Sequence, residues 1–74
     1  MANLVKVFVH DDKGRGLSGH NIKYYNGDIV KTNKDGYASL ILDGGGETEI
    51  YVNGFRIWKG YKSSAPKILT YQKG

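Results

Sequence analysis

Cysteine is absent from this sequence of 74 residues. The chain therefore contains neither a disulfide nor a thiolate zinc site, which are common supports of very small domains. A chain of this length makes one domain, here residues 1–74, and it buries only about 60% of the surface that its unfolded form exposes. Its stability must come from a core of aliphatic and aromatic side chains.

Two kinds of long apolar segment are also missing. The N-terminus has no basic start followed by about seven or more apolar residues, so the sequence predicts no signal peptide. No apolar run approaches the roughly 18 residues that would span a membrane. We therefore expect no membrane partner, and a cytoplasmic location if the sequence is a complete gene product. For a module excised from a longer protein the compartment stays open.

Helical periodicity is missing as well, because no window of about ten or more residues repeats its apolar positions every 3.6 residues. Instead, glycines and clusters of Asn, Asp and Lys separate short runs in which apolar and polar residues alternate. We predict seven strands, at Leu4–His10, Asn21–Tyr25, Ile29–Thr32, Tyr37–Leu42, Glu47–Val52, Phe55–Tyr61 and Lys67–Tyr71.

These runs predict an all-β fold, a small seven-stranded antiparallel β-sandwich. A five- or six-stranded SH3-like or OB-type barrel is the alternative, and it would require one sheet to curl onto itself and some runs to merge. For the sandwich, alternation predicts a core of Val5, Val7, Val9, Leu17, Ile22, Tyr24, Val30, Leu40, Leu42, Ile50, Val52, Phe55, Ile57 and Ile68.

Three turns are predicted from residues that accept unusual backbone angles. Asn33 and Asp35 can hydrogen-bond back to the local backbone, and Gly36 supplies a positive φ before the fourth strand. Asn26-Gly27 and Asn53-Gly54 predict tight type I′ hairpins, since both residues of each pair tolerate positive φ.

The order of these elements resembles the transthyretin-like or carboxypeptidase-regulatory-like β-sandwich, whose architecture is Ig-like and Cna-B-like. The similar segments lie within about residues 3–61 and are Val5-Lys6-Val7-Phe8-Val9, Asp12-Lys13-Gly14, Gly16-Leu17-Ser18-Gly19, Thr32–Tyr37 and Gly46–Phe55. The resemblance implies a non-catalytic module for adhesion, assembly or docking. It does not extend to the hydroxyisourate hydrolases of the group, whose C-terminal Tyr-Arg-Gly-Ser is replaced here by Tyr71-Gln72-Lys73-Gly74.

The sequence contains no clear pattern of catalytic or metal-binding residues. No Ser-His-Asp set, nucleophile elbow or paired-carboxylate arrangement can be argued. His10, Asp11 and Asp12 are adjacent, but neighbours on a strand point to opposite faces, so we interpret them as solvated residues. Lys31 stands where a calcium loop at Asn33–Gly36 would need an acid. We predict that the protein is not an enzyme and has no catalytic, cofactor-binding or metal-binding residues.

Positive charge is concentrated toward the C-terminus. Residues 1–54 hold six Lys and Arg against seven acids, whereas residues 55–74 hold five Lys and Arg and no acid. If Phe55 and Ile57 are core residues, alternation places Arg56, Trp58 and Lys62 on one outward stripe. Such a stripe suits a protein partner, because Trp and Arg are frequent in hot spots, and it also suits nucleic acid. A register shifted by one residue would instead bury Trp58 and expose Ile57.

The outer face of the first strand, with Leu4 and Phe8, is a second candidate surface. Exposed apolar side chains gathered in one patch usually mark a partner site. The C-terminal segment or a second copy of the chain could equally cover them, and the latter would give a homodimer. The candidate partner-binding residues are therefore Leu4, Phe8, Arg56, Trp58, Lys59, Lys62 and Lys67.

Two functions follow as hypotheses from this reading. The first is a non-catalytic protein-interaction or structural accessory module, such as a phage or secretion-assembly component or a small inhibitor protein. The second is a nucleic-acid-binding β domain that uses the basic and aromatic residues of positions 55–67. Neither hypothesis requires a cofactor.

Overall fold

The computed structural model describes residues 3–24 and 29–73. Its strands are β1 (Asn3–His10), β2 (Asn21–Tyr24), β3 (Ile29–Lys31), β4 (Tyr37–Leu42), β5 (Glu47–Val52), β6 (Phe55–Tyr61) and β7 (Ile68–Gln72), with a 3-10 turn at Lys62–Ser64. All seven predicted strands are present with small differences at their ends. The hairpin turn predicted at Asn26-Gly27 lies outside the described residues.

The strands form two sheets, one in the order β4-β1-β7 and the other in the order β3-β2-β5-β6. The predicted fold class, a small all-β sandwich, is therefore confirmed. Buried side chains from both sheets form one cluster, which includes Val7 and Leu40 from the first sheet and Ile22 and Ile50 from the second. The barrel alternative does not describe this arrangement, because the strands are divided between two separate sheets.

One strand pair departs from the antiparallel pattern that we expected. β7 runs parallel to β1, with Lys6 opposite Ile68 and His10 opposite Gln72. A parallel pair requires a crossover and cannot be joined by a hairpin. Here β6 belongs to one sheet and β7 to the other, and the segment between them, Lys62 to Lys67, makes that crossing.

Most of the predicted core is confirmed, but two of its members are exposed. Ile68 is 59% exposed because it lies opposite Lys6, and directly paired residues share a face of the sheet. Leu69 and Tyr71 point inward in its place. Phe55 is 64% exposed at the start of β6, which is an edge strand, and its ring contacts Tyr71 with centroids 6.2 Å apart.

The turn chemistry agrees with the sequence where the structure describes it. Asn33 Oδ1 accepts hydrogen bonds from the backbone N–H of Asp35 (2.9 Å) and Tyr37 (3.0 Å), and Gly36 has φ of +89°. Asn53 and Gly54 both have positive φ, 51° and 85°, as the predicted hairpin requires. These turns set the register of β4 and β6 and so decide which side chains reach the two outer faces.

Candidate functional site

The predicted stripe on the sixth strand is interrupted by a β-bulge. Ile50 lies opposite Trp58 and Tyr51 lies opposite Arg56, so Ile57 is an extra residue on β6. A bulge of this kind changes the alternation of side chains along the strand. Arg56 and Trp58 therefore fall on opposite faces, and of the two orientations left open by the sequence, the outward stripe of Arg56, Trp58 and Lys62 is not formed.

Trp58 packs toward the interior, beside Gly60. It lies opposite Ile50, whose side chain is fully buried, and it contacts the core while remaining partly exposed. A Cβ atom at position 60 would stand 2.9 Å from Cζ2 of the indole ring. Gly60 thus leaves the space that the ring occupies. The inward orientation of Trp58 is the one observed, with its ring partly buried, and Ile57 is partly buried as well because of the bulge.

Arg56 is held by an acid of the neighbouring strand. Its Nη1 donates to Glu49 Oε1 at 2.8 Å, and this bond lowers the pKa of the Glu49 carboxyl, as does a hydrogen bond from Tyr51, although partial desolvation opposes both. Lys59 lies directly opposite the same Glu49. The positive charge of β6 is therefore partly balanced by β5.

The effect of Arg56 on this carboxyl can be measured directly. We expect Arg56→Gln to raise the pKa of Glu49 toward its ordinary value, because the guanidinium is the largest cause of the lowering. The pKa of Glu49 is lower in the folded protein than in the unfolded chain. The ionised carboxylate therefore contributes fully to the free energy of unfolding above the unfolded pKa, and this contribution is lost as pH falls through the folded pKa. Carboxyl NMR titration of both proteins checks this.

The control for that titration is Asp11. Its pKa is lowered by hydrogen bonds from the backbone of Arg15, and less by those from Lys13 and the Arg15 side chain, none of which involves Arg56. The Asp11 titration should therefore be the same in both proteins. An unchanged Glu49 pKa in Arg56→Gln would contradict the assignment of the shift to Arg56.

The remaining cations of the predicted site are dispersed. Lys62 begins the 3-10 turn, and its Nζ donates to the backbone oxygen of Asp43 at 3.0 Å. Lys67 precedes β7 and lies beside β1, where its backbone oxygen accepts from the N–H of Lys6 at 2.9 Å. Residues 55–67 therefore do not form one continuous basic and aromatic surface.

The outer face of the β4-β1-β7 sheet carries the second candidate. Leu4 lies directly opposite Ile41, and Ile68 lies opposite Lys6, one outward position further along β1. Leu4, Ile41 and Ile68 are 53%, 61% and 59% exposed. We name this surface the exposed apolar face and define it by Leu4, Lys6, Phe8, Tyr37, Ile41 and Ile68.

Aromatic rings extend this face toward the end of β1. Phe8 stacks on Tyr37 of β4 with ring centroids 4.6 Å apart, and on His10 of its own strand at 5.2 Å. Phe8 is half-buried as a result, whereas Tyr37 remains exposed. The structure therefore places both Leu4 and Phe8 on one surface, as the sequence predicted.

Four members of this face were missed by the sequence reasoning. Lys6, Tyr37 and Ile41 were not selected as partner-binding residues, and Ile68 was assigned to the core. The run Leu40-Ile41-Leu42 carried a usable signal, since a strand with apolar residues on both faces presents one of them to solvent or to a partner. The orientation of Ile68 depended on the parallel pairing of β7, which no local pattern reveals.

The described residues contain neither a cluster of metal ligands nor a helix that could span a membrane. Within residues 3–24 and 29–73 no three His, Asp or Glu side chains gather as metal ligands would. Nδ1 of His10 lies 2.8 Å from the backbone oxygen of Asp11, and Nδ1 of His20 lies 2.9 Å from Nδ2 of Asn53. The same residues contain no helix of the length and apolarity that crossing a bilayer requires.

Comparisons of this chain with protein families, curated proteins and solved structures found no match.

Proposed function

We propose that this protein is a non-catalytic protein-interaction module that binds its partner with the exposed apolar face. The observation that carries the proposal is the cluster of exposed aliphatic side chains of Leu4, Ile41 and Ile68 on three adjacent strands. Isolated exposed apolar residues are common on proteins, but a contiguous group of them usually marks an interaction surface.

The two outer faces of the sandwich differ in a way that supports this choice. The outer face of the β3-β2-β5-β6 sheet carries charged side chains, among them Lys23, Glu49, Arg56 and Lys59. Its one strongly exposed aliphatic residue on β2 or β3 is Ile29, which lies opposite Lys23. Partner surfaces are depleted in charge at their centres, so the β4-β1-β7 face fits that role better.

We also propose that the domain belongs to the transthyretin-like or carboxypeptidase-regulatory-like group of sandwiches. Support comes from the motif Thr32–Tyr37, in which Asn33 holds the turn before β4, and from two short-stranded sheets packed face to face. The resemblance is consistent with docking as the activity of the module, since many members of the group are non-catalytic.

Site-specific crosslinking tests the proposed function. A photoreactive p-benzoylphenylalanine is placed at position 41 of the full chain, and at position 29 in a matched control that is equally exposed (61% and 58%) on the other sheet. Irradiation in cells that express the protein should give a discrete adduct with a different protein from position 41 only. Adding Leu4→Asp to the position-41 chain should reduce that adduct by about tenfold, because it replaces an apolar contact at the centre of the face with a negative charge.

Other outcomes of this experiment would contradict the proposal. Equal adducts from positions 41 and 29 would mean that the face has no selectivity. An adduct only with a second copy of the chain would identify a homodimer surface. An adduct only with nucleic acid would favour the nucleic-acid-binding hypothesis, and no adduct at position 41 would remove the face as a binding surface.

A further inference from the structure

A groove opens beside the exposed apolar face, where β1 begins and the crossover enters β7. It has a volume of about 580 Å³, within the range of small-ligand sites. Its lining residues come from β1, from the crossover and from the start of β7, and they are Asn3, Leu4, Lys6, Ser63, Ala65, Lys67 and Ile68.

Backbone and side-chain hydrogen bonds hold the walls of this groove together. Asn3 Nδ2 donates to the backbone oxygen of Lys62 at 2.7 Å, and the N–H of Lys6 donates to the backbone oxygen of Lys67 at 2.9 Å. The N–H of Ala65 donates to Lys62 oxygen at 3.3 Å. The groove is therefore built by the crossover itself, which is bonded to β1 at both ends.

The charge of the groove has one sign. Lys6 and Lys67 are both exposed, and neither belongs to the ion pairs found among the described residues, which are Arg15–Asp11 and Arg56–Glu49. No carboxylate is among the described residues that line the groove. Asp43 follows β4 at the same end of the sheet, but its Oδ1 accepts from the N–H of Gly44 and does not line the groove.

From this arrangement we infer that the groove binds an acidic side chain that is flanked by aliphatic residues in an extended segment of the partner protein. The inference rests on the proposed function and names the chemistry of the partner. The aliphatic neighbours of the acid would cover Leu4 and Ile68, and the carboxylate would accept charge-assisted hydrogen bonds from Lys6 and Lys67.

A second copy of the chain fits this surface poorly. Lys6 lies on the central strand of the sheet, so a two-fold contact through the face would bring like charges toward each other. The face supplies no carboxylate from its defining residues to offset them. An acidic partner removes this repulsion, which is why charge complementarity favours a different protein.

Nucleic acid also fits less well than a peptide. The apolar lining of the groove consists of Leu4, Ala65 and Ile68, which provide no aromatic surface on which a base could stack. The nearest aromatic side chain on β1, Phe8, is already stacked on Tyr37 and His10. An aliphatic lining with two cations suits an acidic and aliphatic peptide.

Matched tripeptides test this inference with the full chain. The probe is acetyl-Leu-Asp-Leu-amide, and the comparison peptide is acetyl-Leu-Asn-Leu-amide, which has the same shape without the charge. Titration is followed by the backbone amide NMR signals of the ¹⁵N-labelled protein. The Asp peptide should shift the signals of Leu4, Lys6, Lys67 and Ile68, and it should bind about tenfold more tightly than the Asn peptide.

Two variants identify the cation that is responsible. Lys6→Gln should remove most of the preference for Asp over Asn, whereas Lys23→Gln, an exposed lysine on β2 of the other sheet, should leave it unchanged. The dispersion of the NMR signals shows whether each variant is folded. If Lys6→Gln fails to fold, Lys67→Gln tests the same charge outside the central strand.

Several results would overturn the inference. These are equal affinity for the two peptides, no shift of the groove signals, shifts confined to the other sheet, or a stronger response of the same signals to a thymidine oligonucleotide. Failure here, with a specific protein adduct from position 41, would remove only the groove and leave the proposed function intact. If the Asp peptide binds but position 41 gives no protein adduct, the proposed function is contradicted, and the groove remains only as a binding site for carboxylates.

Discussion

Gly36→Ala is expected to lower the free energy of unfolding by about 2–5 kcal/mol or more. Gly36 lies where the turn before β4 crosses the loop after β1, and it has φ of +89°. A Cβ atom there would stand 2.6 Å from Gly16 Cα and 2.7 Å from the backbone oxygen of Val9. Neither backbone atom can move easily, because the N–H of Val9 donates to Gly36 oxygen and the Val9 oxygen accepts from Leu17.

The expected size of this effect follows from two contributions. A positive φ costs a non-glycine residue about 1–2 kcal/mol, and overlap with a packed backbone costs about 1–3 kcal/mol or more. Together they reach about 2–5 kcal/mol or more, which is a large part of the free energy of unfolding of a domain this small, about 4–11 kcal/mol. Urea denaturation followed by the fluorescence of Trp58 measures the loss.

Gly44→Ala separates the two contributions. Gly44 has φ of +84°, nearly that of Gly36, but no atom of the described residues lies within 4 Å of a Cβ built there, apart from its chain neighbours. Gly44→Ala should lower the free energy of unfolding by only about 1–2 kcal/mol, which is the cost of the positive φ alone. If the two variants are equally stable, the close approach of the two loops at Gly36 is not a significant constraint.

Thr32→Val should destabilise the protein by about 2 kcal/mol or more, even though it adds an apolar group to a buried position. Thr32 is 4% exposed, and its Oγ1 accepts from the N–H of His20 at 3.0 Å and donates to the Leu17 oxygen at 2.7 Å. Valine has nearly the same shape but leaves both partners without their bonds. An unsatisfied buried polar group costs about 1–3 kcal/mol.

The same substitution at Thr48 should have the opposite sign. Thr48 is 1% exposed, and its hydroxyl has no hydrogen-bond partner within the described part of the chain. Thr48→Val removes a desolvated hydroxyl and should raise the free energy of unfolding by about 1 kcal/mol. Urea midpoints of both variants against the unmodified protein give the comparison. A change of the same sign in both would show that these two hydroxyls do not differ in the way described.

The strands and the turn before β4 could be predicted from the sequence. Alternation predicted the strands, and the side chain of Asn33 with the flexibility of Gly36 predicted the turn before β4, because these effects act over a few neighbouring residues. The prediction that Leu4 and Phe8 lie on an outer face succeeded for the same reason. Val5, Val7 and Val9 define the inner face of β1, so the residues between them point outward.

Long-range pairing explains the errors. Alternation along β6 leaves both orientations of Trp58 open, and the bulge that turns its ring inward depends on how β6 pairs with β5. Alternation alone assigns Ile68 to the core, but the parallel pairing of β7 with β1 places its side chain on the outer face. Neither arrangement has a sequence signal, since each is chosen by the packing of segments that are distant along the chain.

Strand content, the turns before β4 and β6 and the inner row of β1 therefore follow from the order of residues alone, because steric and hydrogen-bonding preferences of adjacent residues suffice to produce them. The candidate site needed the assembled sandwich. Pairing of β4 and β7 with β1 is what brings Leu4, Ile41 and Ile68 together. The crossover between the sheets places Lys67 beside Lys6, to whose backbone it is hydrogen-bonded. Free energy gained from burying the common core selects those pairings, and they leave one apolar face uncovered.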